Sequence, residues 1–265
     1  MMRSRVGCCL STILILLATA CSGAQTNVEA VGTEKEQTGV DEGSVAQPVA
    51  VTDSEEAVMD QDRFRFYLNE ELLATTDYRW MRDGSYSSEY VLSVSGQQLR
   101  VTMELEVDEN GAWRSLHMSA PQGESTVSWA DGKAKLDNQK RELTVDCAPD
   151  VLLFENFNPA LMGLSVKRYD EELGGKQVFP VLLIPAGVFE LSLEKTGSET
   201  LSIAGRDHSL RRYTMSVVGL DVLLQVDDKD RLLYAEVPSQ SAYYVRVGFE
   251  ALAVKTVDDP LLSAP

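Results

Sequence analysis

Two histidines, His117 and His208, are the chain's whole supply of the commonest general base, and each falls in or beside a predicted strand. A serine or cysteine triad needs such a ring next to a nucleophile, and neither histidine lies in a motif that supplies one. The sequence has no G-x-S-x-G elbow, no G-x-x-x-x-G-K phosphate cradle, no C-x-x-C pair and no H-E-x-x-H zinc helix. Hydrolase-like chemistry would have to come from scattered carboxylates such as Asp170, Glu171 and Glu172. These sit at a predicted helix C-terminus, where the dipole disfavours negative charge and Lys167 and Arg168 stand ready to neutralise it. Asp227, Asp228 and Asp230 lack both the EF-hand spacing and its closing Glu, so a charged hairpin turn is expected rather than a calcium site. No catalytic residue, metal site or cofactor is expected.

Binding chemistry has more candidates. Trp80, Trp113 and Trp129 lie in separate predicted strands or their flanks, and such rings suit a site where an apolar ligand meets a polar rim, although core packing also uses them. Lys176 and Gln177 follow Gly174-Gly175 and lead into the apolar run from Val178 to Ile184, a loop that would suit a cavity mouth. Tyr243, Tyr244 and Arg246 form a possible partner patch, while Tyr243, Val245 and Val247 share one face and point equally to burial. Cys147, in the run Glu142 to Cys147, is expected to be a buried, inert thiol.

The first 21 residues address the protein. Arg3 and Arg5 precede an apolar run from Val6 to Leu17, and Ala18, Thr19 and Ala20 lead directly to Cys21. That is the layout of a bacterial secretory signal, residues 1–20, and its end resembles the lipobox of bacterial lipoproteins, with Ala18 where Leu is most often found. The resemblance implies cleavage before Cys21 and acylation of its thiol. The apolar run is too short to span a bilayer, which takes about 20 residues, whereas acyl chains contribute about 0.8 kcal/mol per buried methylene. Ser22 stands where an Asp would favour inner-membrane retention in enteric lipoproteins, so the resemblance implies the cell envelope and an outer-membrane anchor facing the periplasm. Cell-surface display and simple secretion are the alternatives. Cys8 and Cys9 leave with the signal, so only Cys147 remains in the body and no internal disulfide can form.

Charge divides the chain. Residues 22–60 carry nine acidic groups against Lys35 and no aromatic residue. They cannot bury enough apolar surface to offset ordering entropy, so residues 21–60 are expected to form a lipidated acidic tether with a reach on the order of 35 Å. A formal net charge of −17 argues against nucleic-acid binding and against electrostatic adhesion to anionic lipid.

Residues 61–257 are expected to form one β-rich domain, with 258–265 a C-terminal tail. Leu99, Val101, Met103, Leu105 and Val107 alternate with polar residues, as do Phe189, Leu191 and Leu193, and Leu220, Val222, Leu224 and Val226. Further strands are expected at 63–68, 86–94, 113–119, 125–130, 141–147, 178–184, 199–204, 209–218, 231–237 and 242–249. Turn signals, Asp83-Gly84, Asn110-Gly111, Asp131-Gly132 and Gly197-Ser198 among them, separate these runs. Asn158-Pro159 offers an N-cap and first turn for a single helix near 159–171, stopped by Gly174-Gly175. The fold class is mainly β: an antiparallel meander forming a curved sheet or barrel, with that helix covering one end or face.

This layout resembles the lipoprotein carriers typified by LolA and related secreted β-proteins. The residues that carry the likeness are Val226-Asp227-Asp228-Lys229-Asp230-Arg231-Leu232 and Ala235-Glu236-Val237-Pro238, similar to a late V-D-x-x-G-R-L…V-P hairpin in which Asp230 replaces the usual Gly. The resemblance implies a concave apolar surface that holds a lipid or meets another envelope protein. A hydrolase-like or hydrolase-accessory protein and a structural spacer are the competing expectations.

Overall fold

The computed structural model describes residues 58–94, 96–139 and 141–255. Cys21, the signal segment, the acidic stretch 22–57 and the tail therefore lie outside the described residues. A single sheet of 15 strands accounts for most of the chain. Eight run outward in chain order: β1 (Val58–Leu68), β2 (Glu71–Met81), β3 (Tyr86–Val94), β4 (Gln97–Val107), β5 (Trp113–Ala120), β6 (Gly123–Ala130), β7 (Lys133–Asp137) and β8 (Glu142–Asp146). Each pairs antiparallel with the next. Residues 147–151 then carry the chain to the opposite rim, where β9 (Leu152–Phe154) lies parallel to β10 (Lys176–Leu183). From there β11 (Gly187–Ile203), β12 (Arg206–Val217), β13 (Leu220–Val226), β14 (Leu232–Val237) and β15 (Ala242–Arg246) return as an antiparallel meander. The return ends with β15 against β1, Phe64 opposite Arg246 and Leu68 opposite Ala242.

The two rims, β8 and β9, share no ladder, yet the sheet curls until β8 comes against the start of β11. A Cβ on Gly187 would meet Leu143 and Val145 of β8 at 4.0 Å. The result is a strongly curved, unclosed sheet, as the expected fold class allowed. Its inward rows form one continuous apolar core. In β4, Val101, Met103 and Leu105 are buried, each contributing about 1.5–3 kcal/mol relative to an exposed side chain, while Glu104 and Glu106 face water. Strand β14 is buried on both sides, because Leu233 and Tyr234 join Leu201, Ile203, Leu210 and Leu252 in a second cluster. That cluster gathers the far end of the β11–β12 hairpin and a short helix, α2 (Ala251–Lys255).

Three local expectations change. Gly197-Ser198 is not a turn: β11 runs straight through it with a bulge between Lys195 and Gly197, since its pairing with β12 is continuous on both sides. Strand β1 begins at Val58 and already contains Asp60, because an ion pair to Arg246 holds a residue that local composition assigns to the tether. The helix is shorter than 159–171. A 3-10 turn over Pro159–Met162 leads into α1 (Gly163–Arg168), and the chain is extended again at Tyr169. The Asn158 side chain makes no cap hydrogen bond to it.

Candidate functional site

Asn158 is instead the centre of a polar network inside the curl. The segment from Leu152 to Met162 threads the concave side, and three strands bind it through side chains. Thr76 donates to the Phe157 carbonyl at 2.6 Å and Tyr244 to that of Asn156 at 2.6 Å. Tyr86 donates to Asn158 Oδ1 at 3.0 Å, and Ser88 donates to the same oxygen. Asn158 Nδ2 in turn donates to Glu155 Oε2 at 2.5 Å, which also accepts the Phe157 N–H at 3.0 Å. Burial pushes the Glu155 carboxyl above its ordinary value, although these hydrogen bonds oppose the shift. The centre of the curl is thus filled by the chain's own segment.

What stays open lies to one side. Between α1, the start of β1, the end of β2 and the turn from β13 to β14 is a cleft of about 220 Å³. Phe64, Trp80, Leu164 and Leu232 give it an apolar floor, and Asp60, Lys167, Lys229, Asp230 and Arg231 supply polar groups. Helix α1 sits close to that turn: a Cβ on Gly163 would meet the Asp230 carbonyl at 3.5 Å, an ordinary contact distance. Trp80 is buried, edge-on to Tyr86 with centroids 4.9 Å apart, and the Lys167 amine lies 5.6 Å from its ring centroid. The 220 Å³ is smaller than the roughly 300 Å³ of an ordinary small-molecule pocket. It holds about seven waters at about 30 Å³ each. A larger concavity of about 640 Å³ lies over β1 to β4, but Arg63, Asp77, Arg79, Glu89 and Glu104 line it and make it a polar saddle.

The residues singled out in the sequence are not brought together. Of the proposed binding residues Trp80, Trp113, Trp129, Lys176 and Gln177, only Trp80 reaches the cleft. Trp113 and Trp129 hold the crossing between the rims: Trp113 Nε1 donates to the Val151 carbonyl at 2.7 Å and its backbone N–H to Pro149 at 3.1 Å. The buried Trp129 Nε1 makes no hydrogen bond but lies near the Cys147 thiol, which burial pushes up in pKa. Gln177 is a clamp for residues 170–174. Its Nε2 donates to the Asp170 carbonyl at 2.7 Å and its Oε1 accepts the Asp170 N–H at 2.9 Å. Lys176 is exposed at the start of β10, opposite Glu194.

The carboxylates are likewise engaged. Glu171 is neutralised by Lys195 at 2.5 Å rather than by Lys167 or Arg168, and it accepts the Tyr213 hydroxyl at 2.7 Å. Hydrogen bonds from Lys195 and Tyr213 hold it below the ordinary carboxyl value. Arg168 reaches the Asp150 carbonyl and carboxylate instead. In the β13–β14 turn, Asp227 accepts the N–H groups of Lys229 and Arg231 at 2.9 Å and pairs with the Arg231 side chain. Asp230 stands at φ +59°, a left-handed geometry that glycine adopts more readily, and pairs with Arg211 at 2.6 Å. No group of three or more His, Cys, Asp and Glu among the described residues is arranged to hold a metal. His117 lies in β5 opposite Thr126, and His208 packs edge-on to Phe249, 5.2 Å between centroids.

One further charged site was not legible beforehand. Arg246, expected in a surface patch, is buried and reaches Asp60 at 2.8 Å and Asp62 at 2.6 Å, while Tyr78 donates to Asp60 at 2.6 Å. It clasps β1 to β15 from within.

No helix of the described residues is long and apolar enough to cross a membrane. No family model matches the chain, and no curated protein matches it. Among solved structures it is similar to a DUF1089 family protein from Pseudomonas aeruginosa, at 14% identity over 63% of this chain and 90% of that one. The TM-score is 0.39, too distant to bear on fold or function.

Proposed function

We propose that this chain is a lipid-anchored protein of the bacterial cell envelope, held through Cys21 on the outer membrane facing the periplasm, whose non-catalytic β-domain binds an apolar ligand. The observation that carries the binding half is the cleft beside Trp80, an apolar floor left open at the edge of an otherwise filled curl. The leader and the small-residue trio before Cys21 carry the anchoring half. The cleft's size suits a short acyl segment or one apolar side chain of an envelope partner rather than a whole lipid. The engagement of Glu171, Asp227 and Asp230 by basic partners supports a binding role over a carboxylate-based hydrolase.

Two measurements test this. Fractionation of Cys21→Ala should find the protein in the soluble fraction or as an uncleaved precursor; a variant that matures and stays on membranes to the same extent refutes the anchor. A hydrophobic fluorescent probe should bind saturably and shift tryptophan emission, and Leu164→Gln, which makes the cleft floor polar, should weaken it severalfold. Absence of saturable binding refutes the ligand site.

A further inference from the structure

The residues that line the cleft carry three cations, Lys167, Lys229 and Arg231, against Asp60 and Asp230. Asp60 shares Arg246 with Asp62, at 2.8 and 2.6 Å, Asp230 pairs with Arg211 at 2.6 Å, and Arg231 with Asp227 at 2.6 Å. Lys167 and Lys229 are left, both exposed and neither in an ion pair with any described residue. They line the same 220 Å³ space from two elements, α1 and the β13–β14 turn. Two unneutralised ammonium groups at one cleft stand out in a chain of formal net charge −17. Between them and the core lie Trp80, Phe64 and Leu232, all buried, with Leu164 partly so.

An apolar floor under a cationic rim is complementary to one kind of ligand. We infer that the cleft binds a single-chain anionic amphiphile, the first methylenes of its tail against Trp80 and Leu164 and its carboxylate or phosphate head between Lys167 and Lys229. This rests on the proposed ligand-binding role and adds the ligand's charge to it. A head group seated there accepts charge-assisted hydrogen bonds from the two lysines, and the surrounding apolar surface strengthens them relative to open water. The Lys167 amine, already over the Trp80 ring, is held where the head would meet it. A neutral amphiphile gains the floor but not the rim.

The test uses the chain from Cys21 to Pro265 produced without acylation, titrated calorimetrically with decanoate, decyl phosphate, decanol and inorganic phosphate below any micelle threshold. Either anionic amphiphile should bind saturably and about tenfold or more tighter than decanol, the factor expected for losing charged hydrogen bonds. Whichever head binds tighter identifies the class of head group, carboxylate or phosphate. Lys167→Gln with Lys229→Gln should bring decanoate and decyl phosphate down to the level of decanol measured on the same variant; both sites are exposed, so the double variant should fold. Equal binding of decanol and decanoate, insensitive to the double variant, overturns the anionic inference while leaving the apolar site intact. Inorganic phosphate binding as tightly as decyl phosphate overturns the amphiphile and leaves a plain anion site. No binding by any of the four refutes this inference together with the ligand-binding role.

Discussion

Replacing Arg246 with Met should be among the most damaging single changes in the protein. Its side chain is 4% exposed, against 18% for Asp60 and 34% for Asp62. Truncation would leave two carboxylates without their cation at the seam between β1 and β15. Removing one partner of a buried ion pair costs about 3–5 kcal/mol, mostly because the survivor's charge stays desolvated. Asp62 keeps enough contact with water to place the expected loss near the lower end, about 3 kcal/mol. Urea unfolding at neutral pH reads this directly, as a lower midpoint at unchanged slope. The reasoning further requires that Asp60→Asn and Asp62→Asn, added to Arg246→Met, restore more than half of the loss. Acid titration adds a second check. Burial pushes the Asp60 carboxyl up, but hydrogen bonds from Arg246 and Tyr78 outweigh this and leave it below its ordinary value of 3.8. Its contribution is therefore complete above that value and disappears as the pH falls through the lower folded value. Arg246→Met should lose this acid sensitivity. A loss under about 1 kcal/mol, or a triple variant no better than the single one, would show that the clasp is not a buried ion pair in energetic terms.

Other expectations follow from the filled interior. Asn158→Leu strands the Tyr86 and Ser88 hydroxyls and the Glu155 carboxyl, and should cost about 3 kcal/mol by denaturant unfolding. Glu155→Gln keeps an acceptor for the Phe157 and Asn158 donors but removes a buried ionisable group. Since the folded value lies above the ordinary 4.5, the wild type is favoured below that pH and loses stability as pH rises through the folded value. The variant should lack this loss and unfold at higher urea than wild type in mildly alkaline buffer; an unchanged pH profile would refute it. Gln177→Ala should release residues 170–174, seen as faster proteolysis there with a global cost of about 1 kcal/mol.

The strands were largely legible because half-buried β-structure writes a period of two into the side chains. β4 shows it plainly in Val101, Met103 and Leu105. β2 escaped notice because its inward row, Ala74, Thr76, Tyr78 and Trp80, mixes small and polar residues with rings, and Thr76 is inward to bond the Phe157 carbonyl. Asn158 carried the local signature of a helix cap, but the interior network claims its side chain and only the following proline shapes the turn. Of the proposed binding residues, Trp80 alone lines the cleft. Trp113 is bound to the Val151 carbonyl, 38 residues on, which no local pattern announces, whereas Gln177 is held by Asp170 only seven residues back. Arg246 illustrates the same limit, since its acidic partners lie more than 180 residues away and nothing near it in sequence marks it as buried.

The meeting of β1 with β15 has a consequence for how the molecule comes into being. Read from β9 through β15 and on from β1 to β8, every neighbour in the sheet is also a neighbour in chain order, so from β10 onward the fold is a circular permutation of one antiparallel meander, with β9 added in parallel at its rim. In the natural order a single ladder, Phe64 with Arg246 and its neighbours, concentrates nearly all the long-distance closure. During synthesis the β1 edge waits unpaired until the last strand arrives, exposed to other chains in the meantime. Joining the ends of the domain and opening it within residues 147–151 would turn that slow closure into a hairpin, and folding should accelerate with the sheet's pairing retained.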